Sequence, residues 1–122
     1  MFLIEIDTTK QLLVLSIAGT VTVEETKESV VRVREKLAEL APGFVALIDF
    51  RWLESMPAAS APFVAEIMDA FAAKGVSAVV RVMPDPHRDI GLNILSQFHY
   101  GPEVRLMTFE TLADAIQALA RD

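Results

Sequence analysis

The chain has 122 residues, 52% of them hydrophobic, which suits one domain with a well-filled core. It has no cysteine, which excludes disulfide frameworks, cysteine-based zinc sites and thiol nucleophiles. A net charge of −6 with scattered basic residues argues against non-specific binding to nucleic acid or anionic membranes.

The opening segment, Met1-Phe2-Leu3-Ile4-Glu5-Ile6-Asp7, lacks the basic head of a secretory signal and soon becomes acidic. No apolar run approaches the ~20 residues of a spanning helix. These features lead to the expectation of a cytoplasmic protein.

Phe2 to Asp7 reads as a strand, Thr8-Thr9-Lys10 as a turn, and Gln11 to Ala18 as a second strand closed by Gly19. Strands this close predict an antiparallel hairpin. Thr22 and Glu25 have capping-box spacing. Val23, Val30, Val33, Leu37 and Leu40 then follow one helical face until Pro42-Gly43. Phe44 to Phe50 is an unbroken apolar run ending in an acid and an aromatic, as expected of a central strand covered on both faces. A loop over residues 51–60 is predicted next.

A second helix is expected from about Ala59–Ala61, with Pro62 in its first turn and Phe63, Ile67, Met68 and Phe71 on its buried face. Lys74-Gly75 supplies the stop, with Gly75 able to take the left-handed conformation. Val76 to Val82 reads as a strand. Asp85-Pro86 opens a third helix with Ile90, Ile94, Leu95 and Phe98 on its face. Gly101-Pro102 breaks that helix, and Glu103 to Thr108 is a last short strand. Thr111 caps a final helix whose Leu112, Ala115, Ile116 and Leu119 are expected to face inward. The predicted order is β-β-α-β-α-β-α-β-α, an α/β fold with a mixed, mostly parallel sheet and an N-terminal antiparallel hairpin.

This order and its landmarks resemble the STAS domain, the family of bacterial anti-sigma factor antagonists. The resemblance spans nearly the whole chain, 1–122, as a single domain. It rests on Leu15-Ser16-Ile17-Ala18-Gly19, on Val45-Ala46-Leu47-Ile48-Asp49-Phe50, on Ala72-Ala73-Lys74-Gly75 before the Val76 strand, and on Ala113-Asp114-Ala115-Ile116. It implies a non-catalytic regulatory module that binds a protein partner, an anti-sigma factor or kinase-like regulator. The family's regulatory loop carries Asp-Ser-Ser/Thr-Gly, whose hydroxyl is phosphorylated. Here the matching positions are Pro57, Ala58, Ala59 and Ser60, so alanine stands at the phosphorylatable position. The resemblance therefore implies binding without the usual phospho-switch.

Several residues stand out as site candidates. Ser60 is read either as a helix N-cap or as a modification site whose phosphate would meet a helix N-terminus; Ser55 is the other nearby hydroxyl. Asp49, at a predicted strand end, either lines a ligand site or shapes the next loop through backbone hydrogen bonds. Trp52, Leu53 and Met56 in the loop, with Ser60 and Phe63 beside them, form the expected partner-binding surface.

Other candidates carry weaker signals. His87 and Arg88 in the first turn of the third helix could hold an anion, or be solvated. His99-Tyr100 hints at acid–base chemistry, but no orienting partner lies nearby in sequence. Two histidines and no cysteine match no metal-ligand spacing, and neither a phosphate loop nor any other cofactor motif is present.

Two further function classes stay in view. One is a small-ligand or lipid carrier with Phe63, Met68, Phe71 and Phe98 lining a cavity. The other is a small enzyme using Asp49, His87, His99 or Tyr100. A homodimer is also expected from the apolar content.

Overall fold

A computed structural model describes residues 1–85 and 99–121. The order of elements is β1 (Phe2–Asp7), β2 (Leu12–Thr20), α1 (Val23–Leu37), β3 (Val45–Ser55), α2 (Ala61–Lys74), β4 (Ala78–Val82), β5 (Arg105–Phe109) and α3 (Leu112–Arg121). A 3-10 turn, Ala58–Ser60, leads into α2. The Pro86–Phe98 part of the expected third helix, with Ile90, Ile94, Leu95, Phe98, His87 and Arg88, lies outside the described residues.

The strands form one five-stranded sheet in the order β1-β2-β3-β4-β5. β1 and β2 pair antiparallel, and every later pairing is parallel. The Phe44–Phe50 segment is therefore central, as its unbroken apolar run predicted. Alternation along the strands separates two faces. Phe2, Ile4, Leu15, Ile48, Phe50 and Val79 join the inner faces of α1 and α2 in the larger core. Leu47, Val80 and Val82 face the other way, against Ala115, Leu112 and Leu119 of α3.

Local chemistry explains the helix ends. Thr22 and Glu25 form a reciprocal capping box: the Glu25 N–H donates to Thr22 Oγ1 at 3.1 Å and the Thr22 N–H to Glu25 Oε1 at 3.2 Å. At the end of α2, Gly75 sits at φ 88°, and its N–H and that of Val76 donate to Ala72 and Phe71. That left-handed ending is the one glycine permits at low cost. In α3 the Asp114 N–H donates to Thr111 Oγ1 at 3.1 Å, the expected cap.

Three expectations need correction. β3 does not end at Phe50; it runs on through Ser55, because Trp52, Leu53 and Ser55 pair with Ala18, Gly19 and Thr20 after register shifts in the ladder. The predicted loop is thus shortened to a few residues. Ile116 does not face inward and is 51% exposed. Positions 112, 115 and 119 already make the stripe that meets the sheet, and residue 116 falls on its flank. The strand predicted from Val76 starts at Ala78.

Candidate docking site at the end of the central strand

Asp49 lies within β3 rather than at its end, and is nearly buried. Its carboxylate accepts the Arg51 N–H at 2.9 Å, a short local bond that fits the shaping role. The same carboxylate takes the Arg51 guanidinium in a two-pronged grip, with Nε at 3.0 Å from Oδ1 and Nη2 at 3.0 Å from Oδ2. Paired in this way, Arg51 holds its proton even more firmly than a free guanidinium. The guanidinium in turn sits over the Trp52 ring, 5.4 Å from its centroid, within cation–π range. One carboxylate thus orients a cation, and the cation steadies an indole.

Trp52 is 64% exposed, the most exposed aromatic among the described residues. The other expected contact residues are less accessible. Leu53, Met56 and Phe63 are half-buried and pack on the larger core. Ser60 has no accessible surface; it receives a hydrogen bond from Thr26 Oγ1 at 3.0 Å. Its side chain makes no capping bond, which corrects the N-cap reading: its backbone is already helical, at φ −77° and ψ −17°. Ser55 is exposed, and its carbonyl accepts the Val21 N–H at 2.9 Å. The accessible ridge therefore consists of Trp52, Glu54, Ser55 and the Pro57–Ala59 turn.

His99 does have an orienting partner, which sequence proximity could not reveal. Its Nδ1 lies 2.6 Å from Oδ1 of Asp69, thirty residues earlier on α2. Tyr100 is buried in the larger core, and its hydroxyl has no hydrogen-bond partner among the described residues. Burial pushes the phenol well above its ordinary range, with Arg81 partly opposing that rise. Asp49 points to the opposite face of the sheet, so Asp49 and the His99–Tyr100 pair do not converge on a common site.

Tyr100 borders a largely enclosed cavity of about 40 Å³, together with Leu15, Phe50, Met56, Ile67 and Met68. That exceeds the ~10–15 Å³ a water needs but falls well below the ~150 Å³ of an engineered cavity that takes benzene. Of the carrier residues named from sequence, only Met68 lines it; Phe63 and Phe71 do not, and Phe98 lies outside the described residues. Among the described residues no cluster of three metal-ligating side chains occurs, and no helix is long and apolar enough to cross a membrane.

No protein-family model and no curated protein matches the chain. Solved structures do. An uncharacterised DUF3478-family protein from Shewanella loihica, described as having a SpoIIAA-like fold, superposes with a TM-score of 0.72 at 21% identity, covering 98% of this chain and 92% of that one. The chain has a SpoIIAA-like, STAS-type fold. The anti-sigma factor antagonist SpoIIAA in its unphosphorylated form follows, with a TM-score of 0.66, 17% identity and 98% coverage of each chain. An anti-sigma factor antagonist from Mycobacterium paratuberculosis gives 0.62 at 20% identity, over 100% of this chain and 94% of its own. At these identities the likeness establishes the SpoIIAA-like architecture and leaves function to the residues themselves.

Proposed function

We propose that this SpoIIAA-like chain is a non-catalytic regulatory module that binds a protein partner through the ridge from Trp52 to Ala59. The observation that carries the reading is an indole left largely in solvent near the end of a central strand, with the Arg51 guanidinium, gripped by Asp49, set 5.4 Å from its ring centroid. A large, steadied aromatic side chain loses little conformational freedom on association, which suits a contact anchor. The partner we infer is an anti-sigma factor or kinase-like regulator, by analogy with the anti-sigma factor antagonists of the same fold.

The proposed module works without the usual phosphorylation switch. Alanine occupies positions 58 and 59, and the only hydroxyl in the turn, that of Ser60, is buried against Thr26. The carrier reading draws less support, since a cavity of about 40 Å³ has room for a water or so but not for a lipid chain.

The test is affinity capture from the native cytoplasm, comparing wild type with Trp52→Ala and with a control at the remote exposed residue Ile116. Loss of the same partner from Trp52→Ala alone supports the ridge. Equal recovery by all three chains removes it.

A further inference from the structure

The two faces of the sheet are unequally covered. α1 and α2 share one face. On the other, α3 packs on β4 and β5, and no helix among the described residues lies over β1 and β2. β2 is nonetheless apolar on both sides. Leu13, Leu15 and Ile17 are buried in the larger core, while Leu12 and Val14 point the opposite way and stay half-buried. A strand with one face in water alternates apolar and polar residues, whereas one apolar on both sides suits a sheet covered on both.

The ladder fixes what borders Leu12 and Val14 on this face. Leu12 pairs with Val45 of β3, which is also half-buried. Toward the sheet edge, Asp7 stands opposite Leu12, Glu5 opposite Val14 and Leu3 opposite Ser16. Leu3, Glu5 and Asp7 alternate along β1 with the core residues Phe2 and Ile4, so all three share the open face. Leu3 is 46% exposed, and Glu5 is exposed as well. Among the described residues neither carboxylate forms an ion pair; Asp7 accepts the Lys10 backbone N–H at 3.1 Å.

We propose that this strip receives one basic amphipathic helix of a protein partner, laid beside α3. Its apolar stripe covers Leu12 and Val14, and lysine or arginine on its flank faces Glu5 and Asp7. Width and charge select that occupant. Strands spaced about 4.8 Å apart leave about 10 Å between β1 and β3, the breadth of one α-helix. The acidic border on the outer side favours a basic flank and repels an acidic one. This surface is separate from the Trp52 ridge, and the proposal stands whether or not the ridge binds a partner.

Fluorescence anisotropy with two labelled helical peptides of about 18 residues, or five turns, tests this. Both carry leucine at helical spacing; one has lysine along its flanks, the other glutamate. The lysine peptide is expected to bind the whole chain with a Kd on the order of 10–100 µM, and the glutamate peptide about tenfold more weakly. Glu5→Lys is expected to weaken the lysine peptide about fivefold and to strengthen the glutamate peptide. Glu35→Lys, exposed on α1, changes the net charge equally and is expected to leave both affinities within about twofold. Trp52→Ala is expected to leave them unchanged, which separates this face from the ridge. All three substituted residues are exposed, so circular dichroism should report an unchanged fold. The proposal is overturned if neither peptide binds, if both bind equally, or if Glu35→Lys acts as strongly as Glu5→Lys. It is also overturned if sedimentation shows a second copy on this face, with Glu5→Lys altering self-association alone.

Discussion

Thr26 of α1 and Ser60 of the turn before α2 join their hydroxyls, Oγ to Oγ, at 3.0 Å, and neither residue has any surface in contact with solvent. The Thr26 hydroxyl also lies 3.0 Å from the Thr22 carbonyl, so it stands between the capping residue of one helix and the entry to the next. Two polar side chains in an apolar setting are tolerable because each satisfies the other.

Ser60→Ala is expected to lower unfolding free energy by about 1 kcal/mol, the ordinary worth of one such bond, with Thr26 falling back on Thr22. Ser60→Asp places a carboxylate in a site with no solvent access and is expected to cost several kcal/mol. Urea denaturation followed by far-ultraviolet circular dichroism measures both. A Ser60→Asp chain as stable as wild type would show that the hydroxyl leaves its buried position readily.

Trp52→Ala should separate binding from folding. The indole is mostly in solvent, so the change is expected to move stability by no more than about 0.5 kcal/mol. Partner recovery is expected to fall sharply. A thermal melt on the same preparation used for capture checks that the two effects part company.

Asp49→Ala removes the grip on Arg51 and one backbone acceptor. The expected loss is about 1–2 kcal/mol in chemical denaturation, since the carboxylate is nearly buried but the guanidinium is partly wet. Trp52 fluorescence offers a second readout. With the cation released from over the ring, its emission and its quenching by acrylamide are expected to change.

Glu25 supplies a pH signature. The N-terminal ammonium 2.9 Å away and the Thr22 backbone N–H hold its carboxyl below the ordinary value of 4.5. A carboxyl depressed in the folded state adds stability above its unfolded value and loses it as pH falls through the folded value. Glu25→Gln is therefore expected to melt below wild type at neutral pH, with the gap closing below pH 4.5. Melting temperatures from pH 7 to pH 2.5 test this.

Tyr100→Phe is expected to raise stability by up to about 1 kcal/mol, because it deletes a buried hydroxyl that has no partner among the described residues. The alkaline limb should change too. Burial raises the folded phenol above its ordinary value of 10.0, so the unfolded chain loses its proton first and wild-type stability falls as pH rises past that value. The phenylalanine variant is expected to show a shallower decline between pH 9 and 11.

Much of this architecture was legible in the residues. Thr22 and Glu25 marked the start of α1, Gly75 the end of α2, and the apolar run to Phe50 the middle of the sheet, because each depends on chemistry within a few positions. The end of β3 was not legible. Arg51 to Ser55 carries no strand-like apolar run, and it is strand only because Gly19 and Thr20 reach it after ladder shifts. The same holds for the site. An aromatic near the rim could be read from Trp52, whereas the sealing of Ser60 depends on Thr26, thirty-four positions away. Asp69 beside His99 is equally a product of the fold.

At the base of the sheet, the connections are stitched to one another. The Gly43 N–H donates to the Gly75 carbonyl at 2.7 Å, Ser77 Oγ donates to the Gly43 carbonyl at 2.8 Å, and Pro42 lies against Gly75 so closely that a side chain there would meet it at 3.1 Å. Such a crowded seam tolerates neither grafted sequence nor relocated chain ends. The Thr8–Lys10 hairpin tip, exposed and short, is where a tag, a fluorophore or a permuted terminus belongs.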